Sequence, residues 1–255
     1  MRRLLTSLFA FFGLTLAANA QCATGYTQLS NVFACQLNST AITAANLTSG
    51  VDNNTTDSSI ATASVSPGAN KLDIVSVESR NSSATPNVPT VTGASGTWTQ
   101  IATRLDATNS RRVTLFRDLS ASPGSGALTI SFASQVQDQG IAWSVDEFSR
   151  TDTTGTHGSG AIVQSVGGTT SGTNTGFTVT LSALGSANNA AMGFVRNNMG
   201  GTISPGSGFT QLSQTSLTNG TQNEAEWAIN KTAVNWTWGS QTVISVGIAI
   251  EIKSQ

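Results

Sequence analysis

The stretch ISVGIAIEI (residues 244–252) alternates strictly: Ile244, Val246, Ile248, Ile250 and Ile252 form one apolar face, and Ser245, Gly247 and Ala249 form the other. Period two is the signature of a β-strand. With one face wholly apolar and the other small, the strand is expected to be central, its small face pressed against a further layer. The same alternation recurs upstream in Leu128, Ile130 and Phe132, in Phe177, Val179 and Leu181, and in Val234, Trp236 and Trp238. Further strands are expected at 60–65, 72–79, 97–103, 111–116, 140–148, 161–165, 188–196, 209–214 and 224–229. Turns rich in Gly, Ser, Asn and Pro separate them, and no window of ten residues carries a helical apolar stripe. Short strands at this spacing predict an all-β fold, an antiparallel β-sandwich of jelly-roll type, formed by residues 51–255 as a single domain.

Charge is scarce. Only 10% of the 255 residues are charged, against roughly 25% in an ordinary soluble domain. The outward strand positions are instead hydroxylic, from 37 Thr and 33 Ser. A formal net charge of −1 excludes the basic footprint of a nucleic-acid binder. One His and two Cys leave little material for metal or redox chemistry, and no cofactor is expected.

Residues 1–20, MRRLLTSLFAFFGLTLAANA, have the anatomy of a secretory signal peptide: Arg2 and Arg3, an apolar run, then Ala18-Asn19-Ala20 as a small-x-small cleavage site. Gln21 stands before Cys22 where a lipidated cysteine needs a small residue, so lipidation is not expected. After cleavage 10 basic and 13 acidic side chains remain, and no later apolar run is long enough to span a membrane. The expected location is secreted, extracellular or at the cell surface. In an oxidising compartment Cys22 and Cys35, with 12 residues between them, are expected to form a disulfide. Such a loop closure stabilises by about 3 kcal/mol in the chain-entropy model. It would tie down an Asn/Thr-rich N-terminal arm, residues 21–50.

The segments RRVTLFR (111–117), IAWSVDEFS (141–149), DTTGTHGSGAIVQS (152–165), VTLSALGSANNA (179–190), NWTWGS (235–240) and GIAIEIK (247–253) resemble a broad group of uncharacterised β-sandwich proteins. These occur among bacteriophage structural proteins and exported bacterial proteins. The likeness spans roughly residues 55–255. It implies a particle-surface or extracellular sandwich and carries no activity, so it transfers no catalytic residue. The signal peptide favours the exported, cell-encoded relatives.

The carboxylates worth testing as a glycosidase pair are Asp73 with Glu78, Asp146 with Glu147, and Glu224 with Glu226, since that chemistry needs two facing acids. Glu224 and Glu226 share a strand face; Asp146 and Glu147 are adjacent and point to opposite faces. The plainer expectation is that all six are rim charges paired with Arg104, Arg111, Arg117 or Arg196, and no catalytic residue is assigned. His157 lies between glycines without a nucleophile-elbow pattern. The loop around Asp152 and Thr154 holds too few acids for a tight calcium site, and no metal ligand is assigned. Trp98 and Trp227 lie on the more polar strands and are the candidate sugar-stacking platforms, with Asn197 and Asn198 as amide partners. Trp143, Trp236 and Trp238 are expected in the core. Eight Asn-x-Ser/Thr triplets begin at Asn38, Asn46, Asn53, Asn54, Asn81, Asn219, Asn230 and Asn235.

Two functions follow. One is a non-catalytic structural or adhesive protein of the cell exterior that self-associates through its N-terminal arm. The other is a secreted carbohydrate-binding module. Its expected partners are accordingly further copies of itself or a cell-surface glycan, not nucleic acid.

Overall fold

The computed structural model describes residues 41–198 and 201–255, together with the backbone of two short strands before them. The chain divides into a unit of residues 1–39 and a unit from Thr40 to Gln255. In the first, β1 (Tyr26–Gln28) pairs antiparallel with β2 (Cys35–Leu37). The signal peptide, Cys22 and hence the Cys22–Cys35 bond lie outside the described residues.

The second unit is all-β and antiparallel throughout. β3 (Thr43–Asp52), β5 (Lys71–Arg80), β7 (Thr99–Leu105), β8 (Arg111–Ser120) and β10 (Ile141–Ser149) form a five-stranded sheet in the order β3-β10-β5-β8-β7. β4 (Ser59–Val65), β6 (Thr90–Gly93) and β9 (Gly126–Ser131) form a small sheet, β4-β9-β6. The rest of the chain builds the third: β11 (Ile162–Thr180), β12 (Ala190–Asn197), β14 (Thr210–Ser216), β15 (Gln222–Ile229) and β16 (Ala233–Ile252), ordered β11-β16-β12-β15-β14, with the two-residue β13 (Ser204–Pro205) on β16. Residues 43–50, assigned by composition to the arm, are thus edge strand β3, hydrogen-bonded to β10. Their polar composition suits an edge strand, whose half-exposed surface tolerates Thr, Asn and Ser.

The five-stranded sheet is covered on both faces. Leu72, Ile74, Val113, Leu115 and Phe148 meet Met192, Phe194 and the Ile/Val face of β16. On its other side Val75, Val77, Phe116, Trp143 and Val145 pack on Ile60, Val65, Leu128, Ile130 and Phe132 of the small sheet and its flank. β5 is therefore buried from Leu72 to Ser79 without alternation, and its acids Asp73 and Glu78 are carried inside.

The expected layer over the small face of β16 is made by the strand itself and its neighbour. At about 3.3 Å per residue, the 19 residues of β11 and 20 of β16 would run some 60 Å if straight. The ribbon instead bends where Gly172 takes φ +93° and the register slips between Asn174 and Gly176. Its far half then lies on the outer face of its own sheet, where Phe177 and Trp236 stack with ring centroids 5.8 Å apart. Glycines make the seat. A Cβ on Gly193 would stand 2.6 Å from the Trp236 ring, and Cβ atoms on Gly168 and Gly247 would stand 3.0 and 3.1 Å from Phe177.

Polar groups clamp the two large sheets together. Ser213 Oγ of β14 donates to Ser144 Oγ (2.8 Å), Ser144 donates to Asp146 Oδ2 (2.8 Å), and Asn46 of β3 donates to Asp146 Oδ1 (2.8 Å). Further along, Arg196 of β12 meets Glu78 of β5 at 3.2 Å and donates to Thr221 Oγ1 at 2.8 Å.

Candidate functional site

Trp98 and Trp227 are half-buried rather than displayed. Trp98 packs beside the core under the small sheet, its Nε1 donating to the Gly93 carbonyl at 3.2 Å. Trp227 stands edge-on to Phe148, centroids 6.2 Å apart at 86°. Asn197 is wholly buried, and the half-buried Asn198 accepts the Ile244 N–H through Oδ1 at 2.5 Å. Trp98 and Trp227 pack against different cores, so these four side chains do not assemble into one platform. Trp143, Trp236 and Trp238 are in the core as expected.

The carboxylates are where the structure departs most from the expectation of rim charges. Asp52, Asp57 and Asp138 apart, every acid in the chain is buried. Two of the expected arginine partners do pair, but inside: Arg196 with Glu78, and Arg111 with Asp106 at 2.8 Å. Glu224 and Glu226 lie under the folded-back ribbon with no exposed surface. Glu226 Oε2 accepts the Gly206 N–H at 2.8 Å, and burial pushes its pKa up to about 8. Burial, with Glu226 adding repulsion, raises Glu224 to about 9; the Trp236 indole and the Gln211 amide oppose this without reaching hydrogen-bond geometry. Burial raises Asp146 to about 7 against the pull of its Asn46 and Ser144 hydrogen bonds. Asp146 and Glu147 do point to opposite faces, Asp146 toward Asn46 and Ser144, Glu147 toward Lys71.

Near the Asp152 loop, Lys253 Nζ sits 2.6 Å from Asp152 Oδ2 and the Thr154 N–H donates to Oδ1 at 2.7 Å. These bonds draw the Asp152 pKa down to about 2 and engage both of its oxygens within the fold. Among the described residues no group of three or more His, Cys, Asp or Glu is arranged to hold a metal ion. Nor is any of their helices long and apolar enough to cross a membrane. Of the glycosylation triplets, Asn46 and Asn81 spend their amides inside the fold, Asn46 on Asp146 and Asn81 on the Val136 carbonyl at 2.8 Å.

One constellation went unread in the sequence. Glu147, Asp73 and Asp118 are register neighbours on β10, β5 and β8, three acids side by side on one face of the five-stranded sheet. Glu147 is taken by Lys71 Nζ at 2.5 Å and by the Gly68 N–H. Burial, with the two flanking carboxylates, raises Asp73 to about 8. Asp118 ends the row beneath a cleft of about 280 Å³, lined by Ser95, Thr97, Ser120, Thr156 and His157 among others. His157, the only imidazole, holds φ +50° and brings Nδ1 to 3.3 Å from Asp118 Oδ1. The three acids are 45 and 29 residues apart along the chain, so only the strand pairing that joins β5 to β8 and β10 reveals them as a group. Compared with known proteins, the chain matches no family model, no curated protein and no solved structure.

Proposed function

We propose that this chain is an exported, non-catalytic structural or adhesive protein that self-associates at the cell exterior, by strand addition between its N-terminal arm and a sheet edge of a neighbouring copy. The observation that carries this reading is β11. It is an edge strand of 19 residues without a single charged residue or proline. Proteins that stay monomeric blunt such edges with lysine, proline, brevity or bulges; β11 bulges only near its start and after Asn174, and between them residues 164–174 pair with β16 without a break, which leaves that stretch as a template for another strand. The arm is a separate unit that forms short strands, β1 and β2, which suits it as donor. The export signal and the disulfide belong to the same reading. The order β3-β10-β5-β8, set against β4-β9-β6 and returning strand by strand between two sheets, supports a jelly-roll ancestry for residues 43–149, in keeping with the likeness to particle-surface proteins.

The non-catalytic assignment rests on the fate of the acids. Glu224 and Glu226, the pair that shares a strand face, have no surface to offer a substrate. The glycan-module reading has less support, because Trp98 and Trp227 are engaged with the cores. The test is light scattering and electron microscopy of the mature chain, residues 21–255, across a concentration series. Multimers or filaments are expected. Removing residues 21–39, or placing Lys at the exposed edge positions Val163 and Thr173, should return the protein to monomer. A mature chain that stays monomeric at millimolar concentration overturns the proposal.

A further inference from the structure

We infer that the cleft at the open margin of β7 is a binding site for an acidic sugar, whose carboxylate is taken by Arg104 and Arg112. The cleft offers about 480 Å³ where the end of this edge strand lies beside β11, with Asn109 and Thr169 on its rim.

Neither cation has a counter-ion in the chain. Arg104 is exposed and makes no ion pair or side-chain hydrogen bond among the described residues. Arg112 is half-buried, and its partners are uncharged: Nε donates to the Pro86 carbonyl at 2.8 Å and Nη1 to Thr103 Oγ1 at 2.9 Å. Burial lowers the Arg112 guanidinium below its ordinary value, and no carboxylate is near enough to oppose that shift. Asp106, the one acid lining the cleft, is 3% exposed and engaged elsewhere. Its Oδ2 meets Arg111 Nη1 and the Thr108 hydroxyl, both at 2.8 Å, and its Oδ1 accepts the N–H groups of Thr108 and Ser110. A guanidinium stays charged at any physiological pH, so the cleft presents two positive charges and no available negative one.

Both side chains are held in place. Arg104 pairs with Val113 and Leu105 with Arg112, so the two arginines leave the sheet on opposite faces, and a ligand lying along the edge reaches both. The Arg104 stem crosses Gly167 of β11, where a Cβ would stand 3.2 Å from its Cβ, Cγ and Cδ. Arg112 is fixed by its two hydrogen bonds. Held side chains lose little further freedom on binding, and the guanidinium fork matches the two oxygens of a carboxylate. Asn109 and Thr169, whose side chains make no hydrogen bond among the described residues, offer an amide and a hydroxyl to the ring hydroxyls of a sugar. The volume lies in the lower half of the range for small-molecule pockets, which suits one or two sugar rings. Of these residues only Thr169 lies on the β11 edge proposed for assembly, so light scattering of the same samples separates a failure of binding from a failure of assembly.

Calorimetric titration of the mature chain, residues 21–255, with digalacturonate, with the neutral disaccharide of the same linkage, and with inorganic sulfate and phosphate tests it. Digalacturonate is expected to bind, less tightly as salt is raised. The neutral disaccharide and the inorganic anions should bind about tenfold more weakly or worse. Arg104→Gln, at an exposed position, should lower digalacturonate affinity about tenfold with an unchanged thermal midpoint. Arg112→Gln should do the same, and Thr169→Glu, which sets a carboxylate on the rim, should weaken binding while leaving both arginines in place. If Arg112→Gln loses its fold with the Pro86 contact, Arg104→Gln and Thr169→Glu still decide. No binding of digalacturonate, equal affinity for the neutral disaccharide or for sulfate, or full binding by Arg104→Gln overturns the inference.

Discussion

At the scale of single residues, this protein reverses the usual placement of charge. Ten of its 13 acids are inside, and its surface is mostly Thr, Ser and Asn. The Arg196–Glu78 pair shows how such a charge is tolerated. Burial pushes the Glu78 carboxyl up and lowers Arg196 to about 10, while each partner's charge opposes the shift of the other. Arg196 is wholly buried and also donates to Thr221 and to the Ile244 carbonyl. Arg196→Met should therefore cost about 3–5 kcal/mol, because it strands a buried carboxyl, whereas adding Glu78→Leu to it should restore most of the loss. Urea denaturation of the two variants decides the matter: a double variant no more stable than the single would show that the pair is not what Arg196 contributes.

At the scale of elements, the unusual feature is the ribbon of β11 and β16 folded back over its own sheet. Its seat is the glycine track, where Gly168 pairs with Gly247 and Gly193 pairs with Ala249. Gly193 has an ordinary backbone conformation, so Gly193→Ala acts through space alone, with the new Cβ driven against Val234 and 2.6 Å from Trp236. We expect a loss of about 1–3 kcal/mol, as for other overpacked sites. Amide exchange should locate it: residues 233–238 and 176–180 should exchange faster, and residues 244–252 should stay protected. Uniform acceleration across β16 would mean that the folded-back half and the sheet half open as one unit. The alternating pattern of both halves was legible in the sequence, but as two strands each, since a bend leaves period two intact on either side.

At the scale of the whole molecule, the buried acids set the pH response. Asp146 (about 7), Asp73 and Glu226 (about 8) and Glu224 (about 9) all hold their protons more tightly than in an unfolded chain. Their contribution to stability is complete below the unfolded carboxylate range, about pH 4, and is lost as pH rises through 7 to 9. Asp106, Asp152 and Glu251 run the other way: hydrogen bonds lower them, and their contribution disappears as pH falls below about 4. The melting temperature should accordingly peak in mildly acidic buffer and fall by several degrees between pH 5 and pH 9. A melting temperature that climbs over that interval would contradict the buried, protonated state of these four groups.

Local alternation and turn chemistry were enough to determine the all-β class and the central place of β16, and to locate most strands to within a few residues, but not β3 or β6. Such signals depend on each residue's near neighbours along the chain, which the sequence records directly. Only the tertiary structure decided which strands are buried on both faces, that residues 43–50 join a sheet, and that Glu147, Asp73 and Asp118 stand in one row under a cleft. Those facts are set by pairing between strands tens of residues apart. Pairing of that kind depends on which faces find cover, and a composition poor in charge reveals nothing of where its few charges will be buried.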